Sequence, residues 1–451
     1  MTSKEKIADT SQRRQLNWID AAAILVGVII GSGIFIAPGQ VIAATGNTWA
    51  AICLWAIGGF IAACGAFCCA ECGARLPRDG GFFNAYRVAF GDGAAFIGGW
   101  IASLLLYPAV GAAIAYVCAS YLTELVPAIS GYETWTAVTA VVIVTALNMA
   151  GVRCGPYSQR ILTGLKVISL AFLCLAALLS GQSEDSFTRP PVEFTMSFST
   201  ALAALIIVLW TYDGWSDVNM IAGELKDPSH DLSRAVWVGC SILIIIYVLV
   251  QFSVSSLLSF DQATTSENVF ADAVSAGFGR GAGKLVAGAV VLCTLGAVNG
   301  TVLVCSRLIQ TISADGLFFS AVGKLDRRGV PLRAIVLTAV ATSAYGITAS
   351  FDFLLGLFLF STWIFYALTA IALLILRRRH VGEPLSFHAP LGVVPPAIVI
   401  FTAFIMTIGT IIDAPLRALI GTGAFVLVGF AYLIWSKLLP QSKVDNLTID
   451  G

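Results

Sequence analysis

Gly27-Val28-Ile29-Ile30-Gly31-Ser32-Gly33-Ile34-Phe35, with Pro38 close behind, interrupts an apolar run over residues 18–44, and Trp210-Thr211-Tyr212-Asp213-Gly214-Trp215-Ser216 interrupts another over 199–223. Glycine costs about 1 kcal/mol relative to alanine in a helix interior, so a Gly-Ser-Gly cluster in mid-run reads as a break between two half-helices. On the first stretch alone, close helix packing by Gly27, Gly31 and Gly33 stays open, because small residues at four-residue spacing are common where membrane helices meet. A second interruption in the corresponding place of a second half favours a functional break and a binding site between the two.

Composition supplies the setting. Of 451 residues, 58% are hydrophobic and 12% charged, with a mean hydropathy of +0.87, against about 45–50% and about 25% in soluble domains. A water-soluble globule is excluded, and no polar stretch is long enough to fold separately, so one transmembrane domain over 1–451 is expected. Stretches near 20 apolar residues predict twelve spans: 18–44, 48–74, 94–124, 133–152, 157–180, 199–223, 235–258, 284–313, 331–350, 353–376, 393–412 and 416–438. With the breaks in spans one and six, the repeating unit has five spans, and an odd number turns the second copy over. The predicted fold is all-α: an inverted five-plus-five repeat with discontinuous helices 1 and 6, copies over about 18–180 and 199–376, and two extra helices over 393–438.

Lys plus Arg equals Asp plus Glu at 26 each, so no net charge draws the chain to nucleic acid. Twenty-one of those 26 basic residues fall on one set of loops; the opposite side keeps Arg189, Arg280, Lys284 and Arg417, and Lys166 lies inside a span. The excess of basic residues on cytoplasmic loops then puts both termini in the cytoplasm of a cell-membrane protein. The run after Lys4, Lys6, Arg13 and Arg14 is too long for a signal-peptide core, and is expected to stay as the first span. All 11 cysteines lie in or beside apolar runs, reading as small buried hydrophobes rather than a disulfide framework.

A helix broken within a membrane frees amides and carbonyls that protein, water or ligand must satisfy. The half-helix starting near Gly33 would aim N–H groups at an anion, and those ending near Ile29 and Trp210 would aim carbonyls at a cation. An α-amino acid fits both: its carboxylate on Gly31, Ser32 and Gly33, its ammonium on the carbonyls of Ile29, Trp210 and Asp213.

These residues carry a resemblance. Gly27 to Phe35, the loop Leu76-Pro-Arg-Asp-Gly-Gly-Phe-Phe-Asn-Ala-Tyr86, Tyr212-Asp-Gly-Trp215 through Gly223-Glu-Leu-Lys-Asp-Pro228, and Ser306-Arg307 through Ala314-Asp-Gly316 resemble the L-type amino acid transporter family of the amino acid, polyamine and organocation superfamily. The likeness covers nearly the whole chain. It implies the five-plus-five fold, carboxylate contacts at Ser32 and Gly33, and a gating aromatic at Trp210, where phenylalanine is usual. Family members that dispense with sodium carry a lysine at the place of Lys166, its ammonium standing for a bound cation between spans one and eight. Eukaryotic members carry a loop cysteine for a disulfide to a heavy chain; the loop from Glu124 to Trp135 has none, so no such partner is expected.

Intramembrane charges default to functional candidates. Lys166 either snorkels to the interface or takes the cation's place. Asp213 would bind a cationic side chain, carry a coupling proton or cap the following half-helix. Glu224, Arg307 and Asp315, at cytoplasmic span ends, either pair to close an inner gate or are ordinary surface charge. Asn299 is expected to bond helix to helix, and Pro77–Phe90 to lie as an interfacial amphipathic helix. A membrane enzyme is disfavoured: Tyr212-Asp213 has no Gly-x-Gly-Asp partner, and His230, His380 and His388 lie in loops or span ends, away from any heme or metal site. No cofactor or metal is implied. A receptor would lack a signalling domain, and a channel a continuous polar lining. The expected function is transport of L-amino acids, neutral ones by sodium-independent exchange, with proton-coupled symport or carriage of cationic amino acids or polyamines as alternatives.

Overall fold

The computed structural model describes residues 16–77, 81–150, 156–180, 198–326, 329–382 and 387–438. Regular structure there is helical, apart from an isolated parallel bridge between Leu16 and Leu225. The helices are α1 (Trp18–Ile29), α2 (Ala37–Thr45), α3 (Thr48–Arg75), α4 (Phe82–Phe90), α5 (Asp92–Ile101), α6 (Tyr107–Leu125), α7 (Glu133–Met149), α8 (Pro156–Ser180), α9 (Phe198–Thr211), α10 (Pro228–Leu257), α11 (Phe260–Thr265), α12 (Val269–Phe278), α13 (Arg280–Ala314), α14 (Leu332–Thr348), α15 (Phe351–Arg378), α16 (Val394–Asp413) and α17 (Pro415–Leu438). Among the described residues, seven helical stretches are long and apolar enough to cross a membrane, α5 and α6 counting as one continuous stretch; α1, α7, α12, α14 and the 163–177 part of α8 are apolar but shorter.

Local chemistry sets the interruptions. Asn17 starts α1 with a capping box, its side chain accepting from Ile19 and Asp20 N–H while the Asp20 carboxylate accepts from Asn17 N–H. α1 stops at Ile29, a 3₁₀ turn covers Gly33–Phe35, and Pro38 opens α2. Span six stops at Thr211, turns through Gly214 at a φ of +107° and resumes as a 3₁₀ segment over Trp215–Glu224. That backbone is one glycine adopts without penalty. Between α5 and α6 the helix widens into a π turn at Ala102–Leu106. Pro108 has no N–H for the Leu104 carbonyl, and the Tyr345 hydroxyl bonds that carbonyl at 3.2 Å instead.

Glycines on α3 let span six lie against it. A β-carbon at Gly58 would sit 2.4 Å from Val208 Cγ1, at Gly65 2.5 Å from Trp215 Cζ2, and at Gly73 2.7 Å from Asn219 Oδ1. Tyr212, in span six, is buried between α3 and α10, its ring 5.8 Å from Trp55 and 4.7 Å from Tyr247.

The two ends of the bundle close differently. At the end away from most basic loops, α11 and α12 press on α2: a β-carbon at Gly39 would meet the Ala263 carbonyl at 2.4 Å, the Phe270 ring lies edge-on to Phe35 at 5.1 Å, and Tyr121 donates to the Phe35 carbonyl at 2.6 Å. At the other end, Glu71 gathers the Arg377 and Arg75 guanidiniums and the Ala389 N–H. Lys226 N–H there donates to the Leu16 carbonyl at 3.0 Å. The segment expected as an interfacial helix is helical over α4, but Phe82, Phe83, Ala85, Tyr86 and Ala89 are buried against protein. Tyr86 stacks on Phe365 and donates to its carbonyl at 2.6 Å. α4 is therefore docked on the bundle through its apolar face, with Asn84, Arg87 and Val88 only partly buried. Asn148 Nδ2 donates to Asn299 Oδ1 at 2.7 Å, joining α7 to α13 as expected.

Candidate functional site

Both breaks open onto one cavity of about 170 Å³, walled also by α4, the π turn and start of α6, α8, α13 and α15. By a comparable measure about 10–15 Å³ holds one water, so there is room for a ligand of many atoms. Ile29, Gly31, Ser32, Gly33, Lys166, Trp210 and Asp213 all line it, whereas Arg307 does not. Arg307 is exposed on α13 and forms no ion pair among the described residues. Asp315 bonds Arg87 at 3.0 Å instead. The side chain of Glu224 lies outside the described residues.

At the first break the donors are not quite those expected. Gly31 N–H turns back onto the Ile29 carbonyl at 2.6 Å. Ser32 and Gly33 N–H find no acceptor among the described residues, and Ser32, 2% exposed, makes no side-chain hydrogen bond there either. Buried amides are almost always paired, so the open donors face the cavity in need of an acceptor. Gly33 has little room for a side chain: a β-carbon would lie 3.0 Å from Thr211 Oγ1 and 3.1 Å from Thr211 Cα, so Thr211 would have to give way.

The acceptors also differ. Ile29 was expected to hold an ammonium on its carbonyl, but both lone pairs are engaged, by Gly31 N–H and by the Tyr247 hydroxyl at 2.9 Å. The same hydroxyl lies 3.3 Å from the Thr211 carbonyl. Tyr247 thus ties the ends of α1 and α9 together. Trp210's carbonyl takes the Asp213 N–H at 3.1 Å, and the Asp213 carbonyl accepts nothing among the described residues. Lys166, 3% exposed, donates Nζ to the Gly27 carbonyl at 2.9 Å. That bond holds α1 to α8, and the ammonium does not snorkel.

Carboxylates and tyrosines complete the walls. Tyr366 donates to Asp213 Oδ1, with its ring 3.9 Å from that of Trp215. Tyr107 donates to Asp217 Oδ1 at 3.3 Å. Sequence reasoning missed Tyr107, Asp217, Tyr247 and Tyr366. The one signal for Tyr107 was Pro108, since the π turn it causes turns the following helix face; Tyr247 and Tyr366 read as ordinary span residues.

A chain whose described residues form apolar helices around a cavity between two helix breaks belongs to the class of membrane transporters. The chain is a member of the amino acid permease family, whose profile, described as "Amino acid permease", matches residues 16–437. It is 28% identical to b(0,+)-type amino acid transporter 1 of Mus musculus over 445 residues, 96% of this chain and 89% of that one. It is 27% identical to the serine/threonine exchanger SteT of Bacillus subtilis (strain 168) over 430 residues, 94% and 96% of the two chains. It is also 27% identical to large neutral amino acids transporter small subunit 2 of Homo sapiens, over 87% and 75%. These relatives are transporters and not enzymes, of the L-type group within the amino acid, polyamine and organocation superfamily. The chain is a multi-pass membrane protein that transports amino acids.

Proposed function

We propose that the protein exchanges neutral L-amino acids across the cell membrane, without sodium, by alternating access through twelve spans arranged as an inverted five-plus-five repeat. The observation that carries the reading is the pairing at the first break: open Ser32 and Gly33 N–H groups for a carboxylate, beside a lysine already seated on Gly27. Asp213, with its carbonyl open, receives the ammonium. A sodium ion in such a site needs free carbonyls, and the Lys166 ammonium both takes one and repels a second cation. Trp210 closes the cavity on the side of α2 and α9. Both termini face the cytoplasm, and no disulfide-linked heavy chain is needed. The names of the serine/threonine and large neutral relatives support neutral substrates.

Uptake of radiolabelled amino acids into proteoliposomes tests this. The expected result is uptake that requires internal amino acid and is equal in sodium and choline buffers. Uptake into empty vesicles driven by a pH gradient would replace exchange with proton symport, and strict sodium dependence would overturn the role given to Lys166.

A further inference from the structure

Away from the two breaks the bundle carries a second concavity, open to the side. Leu374 on α15 lines it together with Val393, Ala397, Ile400, Phe401 and Phe404 at the start of α16. We infer that this groove seats an acyl chain of an anionic phospholipid, whose phosphate pairs with the Arg378 guanidinium at the groove's mouth. The α16 residues recur at three- and four-residue spacing, so they share one helix face. Ala397 is the small residue among them and hollows the stripe, giving a volume of about 440 Å³. By a comparable measure about 10–15 Å³ holds one water, so the groove has room for a long chain. Its depth matches one leaflet of a bilayer. Val393 and Phe404 are eleven residues apart, about 16 Å along a helix, and half of a hydrocarbon core is about 15 Å.

Charge selects the headgroup. Arg377, Arg378 and Arg379 close α15 at the end that carries most basic loops. Two of the three are engaged: Arg377 with Glu71 and with the Gly392 carbonyl, Arg379 with the Val88 carbonyl at 2.9 Å. Arg378 is exposed and makes no hydrogen bond or ion pair among the described residues. It lies one turn beyond Leu374 on the same face of α15, and so stands where the groove opens to the membrane surface. A zwitterionic lipid brings a cation along with its phosphate, whereas an anionic lipid brings the phosphate charge uncancelled, and one arginine at the surface is enough to discriminate. A second copy docking through α16 would offer the guanidinium no acidic residue before Asp413, at the far end of that helix.

Native mass spectrometry of the full-length protein, released from mixed micelles of phosphatidylglycerol and phosphatidylcholine with identical acyl chains, counts the lipids retained. Since the chains are the same, the retained ratio reads the headgroup alone, and general damage leaves it unmoved. Wild type is expected to favour phosphatidylglycerol about fivefold, the worth of one interfacial arginine against an anionic lipid. Arg378→Gln should remove that preference and Arg378→Lys keep most of it. Arg333→Gln, at the same end but on α14, should leave it unchanged, because Arg333 already donates to the Ala321 carbonyl. Ala397→Trp, at an exposed position, fills the groove and should lower retention of both lipids. Equal retention of the two lipids by wild type, a ratio unchanged in Arg378→Gln, or undiminished retention in Ala397→Trp overturns the site. A ratio lowered as much by Arg333→Gln would replace the seat with diffuse attraction, and a dimer split by Ala397→Trp would give the groove to a second copy; either overturns it as well.

Discussion

Tyr247→Phe is the most informative single change, because it removes one oxygen and nothing else. The ring keeps its contacts with Trp55 at 5.4 Å and Tyr212 at 4.7 Å, so no cavity opens. What disappears is the hydroxyl between the Ile29 carbonyl at 2.9 Å and the Thr211 carbonyl at 3.3 Å. Ile29 retains Gly31 N–H, whereas Thr211 loses its partner. A buried carbonyl left unpaired costs about 1–3 kcal/mol, a factor of about 5–150 at 1.4 kcal/mol per tenfold. The sign on binding is opposite to the sign on stability. The substrate-free protein bears the whole cost, while bound substrate offers its ammonium to the freed carbonyls and recovers part of it. The variant is therefore expected to melt at lower temperature when empty, to bind substrate more tightly, and to gain more thermal stability from substrate than wild type does. Thermal unfolding by intrinsic fluorescence, with and without substrate, together with calorimetric titration, measures all three. Unchanged melting of the empty protein, or weaker binding in a folded variant, would refute the reasoning, the second by making the hydroxyl itself a substrate contact.

Three further changes test the remaining geometry. Gly65→Ala puts a β-carbon 2.5 Å from the Trp215 indole; overpacking of about 1–3 kcal/mol exceeds the helix gain of about 1 kcal/mol, so thermal unfolding should show a net loss, and a stabilised variant would mean that span six is not seated on α3. Gly33→Val should abolish binding without unfolding the protein, since the added carbons meet Thr211 and cover the open amides; wild-type affinity in a folded variant would sink the carboxylate assignment. Lys166→Met leaves the Gly27 carbonyl unpaired, at a cost of about 1–3 kcal/mol, and should cut uptake about tenfold or more in sodium and choline alike; rescue by sodium alone would show an ion taking the vacated place.

Much of the protein was readable from one dimension. Apolar runs, basic loops and two glycine-bearing interruptions are local properties of the chain, and each acts through the backbone of its own segment: a run too apolar for water, a helix that Gly31 and Gly33 cannot sustain. Ser32, Gly33, Lys166, Trp210 and Asp213 could be picked out because a glycine break or an intramembrane charge is conspicuous wherever it falls. Tertiary structure decided how the freed groups were used. Whether the Ile29 carbonyl meets a ligand depends on a tyrosine 218 positions away, and no periodicity announces a hydroxyl that arrives from another helix. The same holds for Tyr107 and Tyr366, whose hydroxyls reach the two aspartates from other helices, and for Arg87, which takes Asp315 although Arg307 stood nearer in sequence. Covalent neighbours set where a helix must break; only packing sets which partner reaches the break, because hydrogen bonds are made across space and the distance along the chain does not enter their energy.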